Sequence, residues 1–335
     1  MNWKSWIGFV ISLFFLYLAF RRIDYRLLLE SLKGTNYLYL IPVVVIIFVN
    51  MALRALRWGY LLYPIKKIGF PNLFAGIIIG FMANNILPAR MGEIVRAYVI
   101  GRSERISKSS SFATVVVERL FDGFTVLGIL LAVLIFINLP SGNIYFKKGL
   151  QVAGYISVAI YGVTFIILFI IKKRTNWFLK FASLLTRPFS SRLTENGISN
   201  ILSFKEGLLS VESVKTLLIT FAYSLFIWGV FAYAIYLAGL SFGIKLSVAA
   251  SLLVLVAICL AMIIPSTPGY IGTYHASVTY ALILYSVPLE KALGFSIVFH
   301  ATNYIPITLA GFLYLWRHHL SLRGIKGEEE GRSEI

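Results

Sequence analysis

The chain has 335 residues, of which 59% are hydrophobic and 13% charged, with 26 Phe and 19 Tyr. Its apolar runs reach the roughly 20 residues that a bilayer crossing needs, which excludes a soluble globular enzyme and points to an all-α polytopic membrane protein. The net charge of +17 would suggest nucleic acid in a soluble chain, but the basic residues lie between the apolar runs, where membrane topology and anionic headgroups place them.

The stretch from Trp6 to Phe20 is followed by Arg21 and Arg22 rather than by a small-residue cleavage site, so it is expected to stay as a first helix. A second span from about Tyr37 to Leu53 ends in Arg54-Ala-Leu-Arg57-Trp58. Arg54 and Arg57 share a helix face, and Trp58 is a residue type that anchors at headgroups. The pair reads either as an interfacial stop or as a guanidinium fork suited to a lipid phosphate.

The run at 72–87 contains Gly76-Ile-Ile-Ile-Gly80, a spacing that permits close helix approach. It leads into Asn84-Asn85-Ile-Leu-Pro88-Ala-Arg90-Met-Gly92-Glu93-Ile-Val-Arg96. Each of its three charges would cost roughly 3 kcal/mol at the bilayer centre, so none can face lipid there. The stretch therefore lies at the membrane surface, or it is an interrupted or re-entrant helix folded against protein or a wet cavity. A similar break later in the chain favours the second reading.

After a polar basic link, a helix from about Phe112 to Asn138 carries Glu118-Arg119-Leu-Phe-Asp122. Arg119 can reach Asp122 at i,i+3 as a locally paired helix end. Alternatively, Glu118 and Asp122 neutralise the arginines of the central stretch, since buried charges persist only when paired. A span at about 149–171 stops at Lys172-Lys173-Arg174, and the segment to 215 has apolar residues at helical spacing: Trp177, Phe178, Phe181, Leu184 and Leu185. It reads as amphipathic helix in the interface.

Spans at about 216–238 and 246–264 precede the second break, Ile264-Pro265-Ser-Thr-Pro268-Gly269-Tyr-Ile-Gly272-Thr-Tyr-His275. Two prolines and two glycines prevent a continuous helix. Leu87-Pro88 to Gly92 and Ile264-Pro265 to Gly269 share an apolar-Pro-x-x-x-Gly pattern, one in each half of the chain. Paired interruptions of this kind suggest an internal repeat with the two breaks facing each other near the midplane. The last runs, about 274–287 and 292–316, carry His300 and Asn303. A lone buried His is either hydrogen-bonded core or a proton relay.

The predicted architecture has about eight or nine membrane segments in one transmembrane domain over 1–316, with a cytoplasmic amphipathic segment at 172–215 and a charged cytoplasmic tail at 317–335. The Lys/Arg distribution does not decide whether 72–88 spans or dips and returns, but either way it places the carboxyl terminus in the cytoplasm. Cys259 is the single cysteine. No disulfide, metal-ligand spacing or P-loop is present, so no metal, catalytic residue or cofactor is expected.

Four motifs in order, Arg54-x-x-Arg57-Trp58, Asn85-x-x-Pro88-x-Arg90-x-Gly92-Glu93-x-x-Arg96, Glu118-Arg119-x-x-Asp122 and Pro265-x-x-Pro268-Gly269-x-x-Gly272, resemble the flippase-like transmembrane family. That family includes the membrane domain of bacterial lysylphosphatidylglycerol synthases and stand-alone proteins, and the resemblance covers nearly the whole chain. It implies a bacterial or archaeal plasma-membrane protein that moves a lipid or lipid-linked molecule between leaflets, with the matching charges lining the path. The family often has a glutamate where this chain has His275. The synthases also carry a soluble aminoacyl-transfer domain after the membrane part, whereas about 19 residues follow the last span here.

The motif arginines, Arg54, Arg57, Arg90, Arg96 and Arg119, outnumber the carboxylates Glu93, Glu118 and Asp122 by two. The expected partner is therefore an anionic phospholipid or a polyprenyl-phosphate carrier. A membrane-embedded lipid transferase using Glu93, Glu118, Asp122 and His275 as acid and base, and a non-transporting scaffold or regulator, are the competing readings.

Overall fold

Where a chain enters lipid, its backbone must satisfy its own hydrogen bonds, and the apolar runs of this sequence all do so as helices. A computed structural model describes residues 3–87, 90–136, 144–175, 177, 179, 191–208, 213–264 and 266–317. Among these are twelve α-helices: α1 (Trp3–Phe20), α2 (Tyr25–Lys33), α3 (Leu40–Leu62), α4 (Phe70–Ile86), α5 (Gly92–Ser103), α6 (Lys108–Phe136), α7 (Ile144–Lys173), α8 (Ser191–Leu208), α9 (Val214–Ser241), α10 (Val248–Ala261), α11 (Thr273–Ile283) and α12 (Leu289–Arg317). By length and composition, four of the described helical stretches can cross a membrane: Tyr37–Leu62, Gln151–Lys173, Val214–Ser241 and Leu289–Arg317. The 29-residue α6 is as long as α12 but carries charges at its centre. Pro88, Pro265, the tail and most of the 176–190 amphipathic pattern lie outside the described residues.

The helices α4 and α5 form a hairpin. Gly76 faces Ile100 and Gly80 faces Arg96 and Gly92, so the two helices run antiparallel. Here the small-xxx-small spacing does what such spacing does in membranes: it lets two backbones touch. A Cβ on Gly80 would stand 2.9 Å from Arg96 Cβ and 3.0 Å from the Gly92 carbonyl oxygen. The Gly92 N–H donates to Asn84 Oδ1 at 2.8 Å, closing the tip. At 12 residues, α5 is about 18 Å long, too short to span. The segment therefore dips and returns. Its base is fastened by Glu104, which ion-pairs with Lys66 at 3.0 Å and accepts from Asn72 at 2.6 Å. Burial pushes the Glu104 carboxyl up, but the hydrogen bonds from Lys66 and Asn72 and the Lys66 charge outweigh it and hold the group below its ordinary value.

In the same way α10 and α11 flank the second break, where Gly269 (φ +75°), Tyr270 (φ +58°) and Gly272 (φ +95°) turn the chain through left-handed backbone. The 11-residue α11 is a short return and not the further span expected over 274–287.

Contacts along α12 show how the two hairpins are opposed. Passing from its carboxyl end toward its middle, Tyr314 meets Phe74, Gly311 meets Met82, Thr308 accepts from Asn85 at 2.9 Å, and the Tyr304 hydroxyl donates to the Asn85 carbonyl at 3.2 Å. Beyond the middle, His300 Nε2 meets the Gly269 carbonyl at 2.8 Å, Ser296 meets His275, and Leu293 packs in one cluster with Ala276. The first hairpin thus enters from the carboxyl end of α12 and the second from its amino end. Their tips touch at the depth of Tyr304, two residues from Pro306, which lies inside the continuous α12. The facing breaks expected from the sequence are seen in the residues that flank both prolines.

Each half of the chain repeats one order of parts: a helix, an amphipathic helix, a long helix, a hairpin and a further long helix. The first half is α1, α2, α3, α4/α5 and α6; the second is α7, α8, α9, α10/α11 and α12. Opposite entry of the two hairpins is the arrangement that inverted repeats give.

Candidate functional site

The second span does not stop at Arg54. It continues to Leu62 as α3, so Arg54 and Arg57 lie inside a helix and Trp58, fully buried, is no headgroup anchor. Likewise α6 begins at Lys108, which puts Glu118 and Asp122 in its interior and not at a paired helix end. The reason is that each charge has a partner on another helix, so neither helix has to end where its charges begin.

On α6, Thr114, Glu118 and Asp122 recur every four residues and form one face. That face meets the antiparallel α3. Asp122 takes Arg57 Nη1 at 2.5 Å, Arg119 Nη2 at 3.0 Å and Arg54 Nη1 at 3.3 Å. Glu118 takes Arg96 Nη2 of the first hairpin at 2.7 Å and Arg57 Nη2 at 3.2 Å. One turn further, Trp58 Nε1 donates to Thr114 Oγ1 at 2.9 Å, and the Arg96 guanidinium lies 4.9 Å from the Trp58 ring.

The fourth side of the cluster comes from α9. Arg57 donates to Ser224 Oγ at 2.7 Å, Trp228 Nε1 donates to Asp122 Oδ1 at 3.2 Å, and the Trp228 ring lies 5.1 Å from the Arg54 guanidinium. Asn50, one turn before Arg54, accepts from Arg54 Nε at 3.0 Å and donates to the Ile227 carbonyl at 2.6 Å. Arg57 and Glu118 are fully buried. They make the rigid back of the site.

Its front is a cavity of about 210 Å³ at the meeting of the two hairpin tips. Of the residues singled out from sequence, Arg54, Asn85, Arg90, Glu93, Arg119, Asp122 and Gly269 line it, whereas Arg57, Trp58, Arg96 and Glu118 stand behind. His275 is not on the wall. It is buried with Nδ1 3.4 Å from Ser296 Oγ, and His300 stands in front of it with ring centroids 5.0 Å apart. Gly92 holds the first tip closed, Gly272 lies against the Ser12 backbone of α1, and Pro268 opens the turn carrying Gly269.

Two arginines on the wall differ in state. Arg119 is shared between Asp122 and, at 3.7 Å, Glu93; this outer pair is the most exposed of the network, with side chains 28% and 22% accessible. Arg90, in left-handed backbone (φ +56°), has no carboxylate partner among the described residues and lies 5.9 Å from the Tyr270 ring of the second hairpin. It was expected to join the buried network with Glu118 and Asp122; instead it stays in the cavity.

Sequence reasoning did not find Trp228, Tyr270, Tyr304 or Asn50 as wall residues. Asn50 carried a signal, its i−4 spacing from Arg54. The aromatics carried none, since a membrane chain has many.

A model of the lysylphosphatidylglycerol synthase TM region matches residues 5–311. A UPF0104 membrane protein of Methanothermobacter thermautotrophicus is 28% identical over 72% of this chain and 74% of its own length. One from Pyrococcus horikoshii is 27% identical over 83% and 86%. The glycosyltransferase AglD of Haloferax volcanii is 32% identical over 38% of this chain and 21% of that protein. With the family match running over residues 5–311, this multi-pass membrane protein belongs to the lysylphosphatidylglycerol synthase TM region family.

Proposed function

We propose that the protein moves an anionic lipid, a phospholipid or a polyprenyl-phosphate carrier, between leaflets through the central cavity. The observation that carries this reading is Arg90, a cation without a carboxylate partner among the described residues, in a cavity between two hairpins of opposite entry. Broken helices meeting at mid-depth are how inverted-repeat transporters hold a polar substrate, and alternate movement of the hairpins exposes the site to either side. The lower walls, Val126, Leu127, Leu130, Met262 and Ile263, are apolar and suit lipid chains.

The excess of Lys and Arg in the links between apolar runs supports a cytoplasmic carboxyl terminus.

A transferase would need a side chain free to act as base, and His300, the imidazole on the wall, has its Nε2 against the Gly269 carbonyl. Glu93 and Asp122, the two carboxylates on the wall, are each engaged by arginine. The glycosyltransferase name of the Haloferax volcanii relative belongs to a protein of which the match covers 21%, so it does not favour that alternative.

The test is headgroup-labelled lipid movement in proteoliposomes. Anionic lipid should cross faster than zwitterionic lipid. Arg90→Lys keeps the charge but loses the planar two-point grip, and should reduce the anionic preference by about tenfold, the scale of one charge-assisted hydrogen bond. Equal movement of both headgroups, or an unchanged preference in Arg90→Lys, defeats the proposal.

A further inference from the structure

The wall around Arg90 holds hydrogen-bonding capacity that no other described residue uses. Asn303 donates its amide to the Phe299 carbonyl, which leaves Oδ1 without a partner among the described residues. Asn85 donates to Thr308 and Tyr304 and leaves its own Oδ1 open. Asn84 accepts from Gly92 and leaves its NH₂ open. Tyr270 and Tyr161 each present a phenol to the same cavity with no partner among the described residues. Beside Arg90, the open groups among the described residues thus include several neutral amides and phenols. They come from α4, α7, α12 and the second hairpin tip, so several elements converge on one space.

Charge on the wall points the same way. Arg54, Arg90 and Arg119 face Glu93 and Asp122, leaving one net positive; Asp122 is held by three arginines, whereas Glu93 has only the 3.7 Å pairing with Arg119. A phosphodiester balances that surplus. An aminoacylated headgroup carrying two ammoniums on one phosphate would add to the surplus instead. Neutral hydroxyls, by contrast, match groups that both donate and accept. Flat aromatic faces, Trp228, Tyr270 and Tyr304, border the same space and can pack against a ring.

We infer that the site is built for a phosphodiester bearing a neutral polyhydroxyl group, and not for an aminoacylated headgroup. The phosphate sits at Arg90, and the hydroxyls meet Asn303, Asn85, Asn84 and Tyr270. This rests on the proposed role of the cavity as a lipid path. The same chemistry occurs in an isoprenoid phosphosugar and in a polyol glycerophospholipid.

The experiment measures binding and movement separately on the full chain. Binding is read as thermal stabilisation of the purified protein while each lipid is titrated in detergent. The probes are polyprenyl phosphate and a polyprenyl phosphohexose, phosphatidic acid and phosphatidylinositol, and lysyl-phosphatidylglycerol. Polyol-bearing members should bind about 3- to 10-fold tighter per hydrogen bond gained than their bare-phosphate counterparts; the pair with the larger ratio identifies the source. Tyr270→Phe keeps the ring beside Arg90 and removes one hydroxyl, and Asn303→Leu removes one amide. Each should lower the ratio of polyol to bare-phosphate affinity, with bare-phosphate binding measured on the same variant as its reference.

Equal affinity for polyol and bare phosphate, tighter binding of lysyl-phosphatidylglycerol, or a ratio untouched by both variants overturns the inference. Those outcomes leave transport of anionic lipid standing. Selective binding with no movement of any probe in proteoliposomes upholds the polyol site and removes the transport reading.

Discussion

Asp122 is the residue on which most charges of the site depend. Arg54, Arg57 and Arg119 all reach its carboxylate, and Trp228 donates to it as well. Buried ion pairs add little net stability when intact, but removing one partner strands the others without water. Asp122→Asn would leave three guanidiniums against a neutral amide, with a loss on the order of 3–5 kcal/mol. Thermal unfolding in detergent should show a large fall for Asp122→Asn and none for Lys172→Gln, since Lys172 lies at the end of α7 outside the network. Equal unfolding temperatures would mean that the cluster is solvated and not structural. Glu93 stands apart from this group: its pairing with Arg119 is long and accessible, so an incoming anion can compete for that arginine.

At the scale of the element, the first hairpin exists because two glycines remove the side chains that would separate its arms. A Cβ on Gly92 would collide with the Gly80 carbonyl oxygen, and α5 carries both Arg96 and the tip geometry into the bundle. Gly92→Ala must push the arms apart and pull Arg96 from Glu118. On α7, an added Cβ at Gly162 meets nothing within 4 Å. There the change should be neutral or stabilising by up to about 1 kcal/mol through helix propensity. The prediction is a contrast: unfolding temperature falls for Gly92→Ala and holds or rises for Gly162→Ala, measured by scanning calorimetry or fluorescence in the same detergent. A matching fall in both would show a general sensitivity of glycine sites and no special closeness at the hairpin.

For the whole molecule, opposite entry of the hairpins has a direct consequence. Lys67 is exposed at the base of the first hairpin and Lys245 at the base of the second. With Cys259 replaced by Ser, Lys67→Cys and Lys245→Cys should react with a membrane-impermeant maleimide from opposite sides of sealed vesicles. Labelling of both from one side would refute the inverted arrangement. The arrangement also explains why the charges can sit deep. Asp122 is the middle residue of the 29-residue α6, and two hairpin tips, α3 and α9 enclose it on all sides where lipid would otherwise be.

Sequence alone determined the class of protein, the two breaks, the identity of the charged residues and the i,i+3 pairing of Arg119 with Asp122. These are local facts: hydropathy over 20 residues, the missing donor of proline and the reach of one helical turn are all set by neighbours in the chain. It could not say that α3 and α6 run on through their charges, because a charge inside a membrane helix is tolerable only through partners on other helices, here 60 or more positions away. Nor could it separate the arginines that are locked from Arg90, which has no carboxylate partner among the described residues. Arg57 and Arg90 look alike as letters, and only the packing of α3, α6 and α9 around one, and of two hairpin tips around the other, makes the first structural and the second available to a ligand.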